Sequence, residues 1–257
     1  MSFDYSGRVV LVTGGTKGIG RGIAKAFLQA GARVIICGRT APETPLASGT
    51  ATADFLALDV RDVEAVKAFF ERISADYGRL DVLINNAGGS PNADAATVSP
   101  RFHESIIRLN LTAPLNMAQM ANVMMQKQPE GGVIEFISSI SGLSASPGTA
   151  AYGAAKAGVI NLVSSLAVEW APKVRVVAVS PGLIRTEKSD VHYGDEHGIA
   201  SVAATIPLGR MGEPADVADA CMFLASPRAS YVSGTNLVIH GAGSKPAFLD
   251  AANVNKG

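Results

Sequence analysis

Tyr152 and Lys156 stand four residues apart, and Ser139 precedes that tyrosine by thirteen. Four residues is about one helical turn, so on a helix the phenol and the ammonium share a face. A free tyrosine has a pKa of ~10 and is a poor acid or base near neutrality. A positive charge ~4 Å away, at the effective dielectric of protein sites, favours the phenolate by up to ~4 kcal/mol. At ~1.36 kcal/mol per unit, that brings the phenol toward proton exchange near pH 7. A serine hydroxyl on a neighbouring loop could then hold the oxygen of a reacting carbonyl. Alone, Tyr-x3-Lys is a common surface pair; its weight comes from the rest of the chain.

Near the N-terminus an apolar run, Val9-Val10-Leu11-Val12, leads into Thr13-Gly14-Gly15-Thr16-Lys17-Gly18-Ile19-Gly20. Ile19, Ile23 and Phe27 follow at helical spacing. The glycines at 14, 18 and 20 make Gly-x3-Gly-x-Gly, not the Gly-x-Gly-x-x-Gly of the usual dinucleotide fingerprint. The physics is shared, because glycines let backbone approach closely and a helix N-terminus offers unpaired N–H groups to a pyrophosphate.

Strand-like apolar runs recur at Val9–Val12, Val34–Cys37, Phe55–Leu58, Val82–Ile84, Val133–Ile137, Val174–Val179 and Leu237–Ile239. Helical patterns lie between them, at Gly20–Ala30, Val63–Tyr77, Arg101–Gln126, Ala150–Trp170 and Pro214–Ala225. This alternation predicts an α/β chain with a doubly wound, seven-stranded parallel sheet in a single Rossmann-type domain over residues 1–243. Residues 244–257 are expected to form a C-terminal tail.

The chain resembles the short-chain dehydrogenase/reductase family, in particular its 3-oxoacyl-[acyl-carrier-protein] reductase-like branch. Thr13 to Gly20 is similar to the family's cofactor turn, and Asn85-Asn86-Ala87-Gly88 to the motif ending its fourth strand. Asn110, Ser139, Tyr152 and Lys156 match its catalytic tetrad, and Pro181-Gly182 with Thr186 the segment flanking the nicotinamide. The resemblance implies that Tyr152 donates a proton, Ser139 orients the carbonyl, and Lys156 lowers the tyrosine pKa and holds the ribose. It also implies that Asn110 anchors a water relaying protons from Lys156. Cofactor contacts are expected from Gly14, Thr16, Lys17, Gly18, Ile19, Gly20, Arg39, Asp59, Val60, Asn86, Ala87, Gly88, Tyr152, Lys156, Pro181, Gly182, Ile184 and Thr186. Asp59 could equally cap the following helix. Between Arg39 and Phe55 the chain departs from the family, since Pro42 and Pro45 oppose the helix usual there.

The second strand ends Ile36-Cys37-Gly38-Arg39, with no acid to bind ribose hydroxyls and repel a 2′-phosphate. Arg39 can pair with a phosphate bidentately, and Lys17 adds a second cation. NADP(H) is therefore expected in preference to NAD(H).

The 257 residues carry 22 Lys plus Arg against 22 Asp plus Glu, so no net field draws the chain to nucleic acid or membrane. Only 17% of residues are charged, which suggests surface buried between subunits of a homo-oligomer, and the resemblance implies a tetramer. Cys37 and Cys221 show neither metal nor disulfide spacing. No export signal is evident at Met1-Ser2-Phe3-Asp4, and no run is read as reaching the ~18 apolar residues of a membrane span, so a cytoplasmic protein is expected. His192, Asp195, Glu196 and His197 are metal-ligand types, but a mobile loop is expected there and no metal is expected. The function expected is NADP(H)-dependent interconversion of a small-molecule ketone and a secondary alcohol. A 3-oxoacyl thioester is one candidate substrate, and a cyclic, steroid-like or xenobiotic alcohol is another. A catalytically silent nucleotide-binding regulator is the alternative of another class, disfavoured because the whole tetrad is present.

Overall fold

The computed structural model describes residues 3–243 and 246, so the expected tail at 244–257 lies, apart from Pro246, outside the described residues. In chain order the strands are β1 (Val9–Thr13), β2 (Arg33–Gly38), β3 (Ala47–Ser48), β4 (Ala51–Thr52), β5 (Asp54–Ala57), β6 (Val82–Asn85), β7 (Gly132–Ile137), β8 (Val174–Pro181) and β9 (Asn236–Ile239). Seven of them form one parallel sheet in the order β5-β2-β1-β6-β7-β8-β9. The helices are α1 (Gly18–Gln29), α2 (Val63–Tyr77), α3 (Pro100–Ile107), α4 (Ala113–Met125), α5 (Ala150–Trp170), α6 (Ser189–Tyr193), α7 (Glu196–Ala204) and α8 (Pro214–Ala225).

Every residue of β1 is buried, which is why its sequence is apolar without alternation. Successive side chains nevertheless part company. Val9 and Leu11 join the core layer containing Phe69 of α2, Met117 of α4 and Val159 of α5. Val10 and Val12 join the opposite layer, with Phe27 of α1 and Val217 of α8. Two helical layers thus clamp one sheet, and the chain reverses direction across it between β1 and β6. In such sheets the crevice beyond the carboxyl ends of the strands receives ligands.

Three segments differ from a regular alternation. The proline-bearing stretch after β2 makes the small β3–β4 hairpin instead of a helix, with Leu46 buried beneath it and the Ala53 N–H donating to the Leu46 carbonyl. The continuous helix expected over Arg101–Gln126 is broken by a π-helical turn at Arg108–Thr112 between α3 and α4. Pro114 supplies the reason: it has no N–H to offer the Asn110 carbonyl four residues back, and its ring crowds that carbonyl. The segment after β8, expected as a mobile loop, instead winds into α6 and α7.

The 21-residue α5 also corrects an expectation, since its length and mean hydropathy of 1.3 would suffice to cross a membrane. It is a core helix here. Lys156, Val159, Val163 and Leu166 are buried along the face that meets the sheet.

Candidate active site

The ends of β1 and β6 are laced together by side chains. The Thr13 hydroxyl accepts the N–H groups of Asn86 at 3.0 Å and Ala87 at 2.9 Å. The Asn86 amide returns by donating to the carbonyls of Thr13 at 2.9 Å and Gly14 at 3.3 Å. Gly14 turns with φ of 64°. A Cβ on Gly20 would lie 2.3 Å from Asn86 Nδ2 and 2.4 Å from the Gly14 oxygen, so only glycine fits this crossing. Helix α1 then starts at Gly18 without a side-chain cap from its own N-cap residue, Lys17.

This floor opens into a cleft of about 650 Å³. Of the expected cofactor residues, Gly14, Thr16, Lys17, Gly18, Ile19, Gly20, Arg39, Asp59, Val60, Asn86, Ala87, Gly88, Pro181, Gly182 and Thr186 line it, together with Ser139, Tyr152 and Lys156. Ile184 does not line the cleft: its side chain is 9% exposed and packs in the α1/α8 layer beside Gly212.

At one end α5 presents Tyr152 and Lys156, with the Lys156 ammonium 5.5 Å from the phenol ring centre. Lys156 is almost wholly buried and donates to the Ile137 carbonyl at 2.7 Å. Burial alone pushes its pKa down to about 8, because taking an ammonium out of water disfavours its charge. The phenol moves opposite to expectation. Burial holds Tyr152 above the ordinary tyrosine value, and only the neighbouring Ser139 hydroxyl pulls it down. Ser139 follows β7 and caps the short turn Ile140–Gly142 by accepting the Ser141 N–H. Ser138 is spoken for, donating to the Lys156 carbonyl at 2.9 Å and so fastening α5 to β7.

Asn110 is fully buried behind the cleft wall. Its Nδ2 donates to the carbonyls of Gly89 and Ile106, both at 2.9 Å, and its Oδ1 accepts the Gly89 N–H at 2.8 Å. A Cβ on Gly88 would fall 2.7 Å from that Oδ1 and 3.5 Å from Lys156 Nζ. The side chain therefore pins the Gly88–Gly89 turn against Lys156, with both of its amide N–H groups engaged.

Cations gather toward the other end. Lys17, Arg39 and Lys188 line the cleft, and the Lys188 ammonium beside Lys17 holds it below the ordinary lysine value. Asp59 forms a two-pronged pair with Arg61 at 2.9 and 2.6 Å, which holds its carboxyl down at about 2. Asp59 is not the cap of α2; Asp62 is, accepting the Ala65 N–H. Of the four metal-ligand types, Glu196 pairs with Arg185 and Asp195 caps α7. The lacing role of Thr13 and the places of Glu187 and Lys188 in the cleft were not read from sequence, and His192, weighed there only as a metal-ligand type, lines the cleft. Thr13 was within reach, as a hydroxyl ending an apolar strand at a glycine turn. The contact of Glu187 with Gly18, 169 residues away, left no local signal.

A doubly wound sheet with a glycine-floored cleft, cations lining it and a tyrosine above a buried lysine defines a nucleotide-binding enzyme class. Comparison with known proteins makes this specific. A family model described as enoyl-(acyl carrier protein) reductase matches residues 14–242. The 3α-hydroxysteroid dehydrogenase of Mediterraneibacter gnavus is 37% identical over 245 residues, covering 91% of this chain and 96% of the relative. The 3-oxoacyl-[acyl-carrier-protein] reductase of Thermotoga maritima is 37% identical over 243 residues, covering 91% and 97%. The ligand-free aldohexose dehydrogenase of Thermoplasma acidophilum superposes with a TM-score of 0.85 at 31% identity, covering 99% of this chain and 98% of that one. The chain belongs to the short-chain dehydrogenase/reductase family and is an oxidoreductase acting on CH–OH groups.

Proposed function

We propose that the protein is an NADP(H)-dependent reductase or dehydrogenase that interconverts a ketone and a secondary alcohol. The observation that carries this reading is continuity: one cleft joins Lys17 and Arg39 to Ser139, Tyr152 and Lys156. The glycine floor, packed so tightly that a Cβ at Gly20 would strike Asn86 and Gly14, suits the close passage of a pyrophosphate. Arg39 and Lys17 would hold the 2′-phosphate, and Pro181, Gly182 and Thr186 would border the nicotinamide. When bound, the dinucleotide supplies or accepts the hydride at the substrate carbon.

The remaining chemistry belongs to side chains of this chain. Ser139 Oγ would donate to the carbonyl oxygen and fix its direction. Tyr152 would pass its phenolic proton to that oxygen as negative charge develops. A phenol pKa held high by burial keeps that proton in place until it is needed. Lys156, still charged at pH 7, would stabilise the phenolate left behind. Asn110 would act by holding the Gly88–Gly89 turn, and any water relay past it would use its backbone carbonyl, to which Pro114 offers no N–H.

A 3-oxoacyl thioester is the first substrate reading, supported by the name of the Thermotoga maritima relative. A cyclic alcohol of steroid type is the second, supported by the name of the equally identical Mediterraneibacter gnavus relative. The assembly proposed is a homotetramer. The buried free thiols of Cys37 and Cys221 suit a reducing, cytoplasmic setting.

Loss of NADPH absorbance with acetoacetyl thioesters and cyclic ketones tests the reading. Tyr152→Phe should lower turnover by about 10²–10⁴-fold while NADPH affinity stays within a few-fold, since only the proton donor is removed. Wild-type turnover in Tyr152→Phe would sink the mechanism, and a higher kcat/KM with NADH would sink the nucleotide assignment.

A further inference from the structure

The Glu187 carboxylate reaches across the cleft and accepts the N–H of Gly18 at 2.9 Å. Gly18 is the first residue of α1, and its amide is one of the unpaired donors that make a helix N-terminus attract anions. Helices α2, α3 and α7 are capped by side chains three residues from the amide they bind: Asp62, Ser99 and Asp195. Helix α1 has neither a capping side chain at Lys17 nor an acid in its first turn. Its anion comes from the turn after β8, which is held by the Ser189 hydroxyl accepting the Thr186 N–H. The next residue, Lys188, lines the same cleft as Lys17.

We infer that Glu187 is an internal stand-in for a cofactor phosphate, closing the N-terminus of α1 until a dinucleotide displaces it, and that Lys188 is a further cation for the incoming phosphates. This rests on the dinucleotide reading above and adds two residues to it. Two ammonium groups beside one another are unfavourable unless an anion shares them. Glu187, bonded to the Gly18 N–H, supplies an anion beside Lys17, and its charge favours the charged form of that lysine. A phosphate arriving at Gly18 takes over the same donor and the same cations. Glu187 must then lose a charge-assisted hydrogen bond, so the contact weakens dinucleotide binding. It also ties the segment leading into α6, and with it His192 on the cleft wall, to whether the phosphate site is filled.

Direct binding of NADPH, followed by its fluorescence, tests this in wild type, Glu187→Gln, Glu187→Asp and Lys188→Ala, with inorganic pyrophosphate as a competing probe. Glu187→Gln should tighten both ligands by about 3- to 10-fold. Glu187→Asp keeps the charge but shortens the reach by one methylene, so it should tighten them in the same direction. Lys188→Ala should weaken both by a similar factor. Melting curves establish that each variant is folded. If Glu187→Asp binds like wild type while Glu187→Gln binds tighter, the effect is diffuse repulsion and the displaced contact is refuted. If wild type binds NADPH and no Glu187 variant changes its affinity, the inference fails while the function stands. If wild type binds neither NADPH nor NADH, the functional reading itself fails, and this inference with it.

Discussion

Glu135 lies in the middle of β7 with none of its surface exposed, and among the described residues neither carboxyl oxygen has a hydrogen-bond partner. It shares the α1/α8 layer with Val133 and Ile137, and its charged and titratable neighbours are Cys221 of α8, Arg175 of β8 and Tyr5. Arg175 spends its guanidinium on the carbonyls of Val232 and Ser226. Burial therefore pushes the carboxyl up to about 8. Because the folded value lies above the unfolded one, folding favours the protonated acid. That contribution is fully present below the unfolded value of 4.5 and is lost as pH rises through about 8. Wild type should thus lose several °C of Tm between pH 5 and pH 9, on the order of a few kcal/mol. Glu135→Gln should flatten that slope, and equal slopes in the two proteins would refute the assignment. From sequence this residue reads as one polar interruption of an apolar strand. Tyr152, Lys156 and Ser139 were legible because a helical turn and a strand-to-helix distance are written in local spacing. The engaged amide of Asn110 and the core position of Ile184 were not, since each depends on contacts with distant segments.

The strands could be read from sequence because a parallel strand buried on both faces leaves an uninterrupted apolar run. The helices flanking them were also legible, wherever one apolar stripe repeats along their length. The break in the long helix was harder, although Pro114 marked it: a proline near a π turn and a proline in the first turn of a new helix look alike. The short α6 and α7 have too few residues for a periodic pattern. Where α1 meets α8, the limiting contact is the rigid ring of Pro214. A Cβ on Gly22 would lie 2.4 Å from the Cβ of Pro214 and 3.3 Å from its backbone. Gly22→Ala must therefore force the two helices apart, against the usual gain of alanine over glycine inside a helix. We expect a net loss of about 1–3 kcal/mol, seen as a lower urea midpoint at unchanged m. A stabilised variant would mean that the helices separate at no cost.

At the scale of the molecule, the exposed side of α5 bears on the proposed tetramer. Ala154, Ala157, Asn161, Ser165 and Val168 face outward, while Gly158 is half-buried against Leu111 of the π turn. Val168 is 81% exposed, and Val123 on neighbouring α4 is 46% exposed. Small residues let two helices approach closely, and exposed valines give them apolar surface to bury. A two-fold axis beside α5 would use this patch twice, once on each subunit. The opposite side of the same helix carries Tyr152 and Lys156, so assembly and catalysis share one rigid element. Light scattering at micromolar concentration should return several times the chain mass of 26.4 kDa. Ser165→Glu or Val168→Glu would set like charges facing one another across the axis and should shift the species toward monomer. Tm should then fall and lose its dependence on protein concentration. Because α5 holds Tyr152 and Lys156, dissociated variants should also lose turnover more steeply than NADPH binding. A monodisperse wild-type monomer would refute the assembly, and dissociated variants with full turnover would show that α5 needs no partner to hold the site.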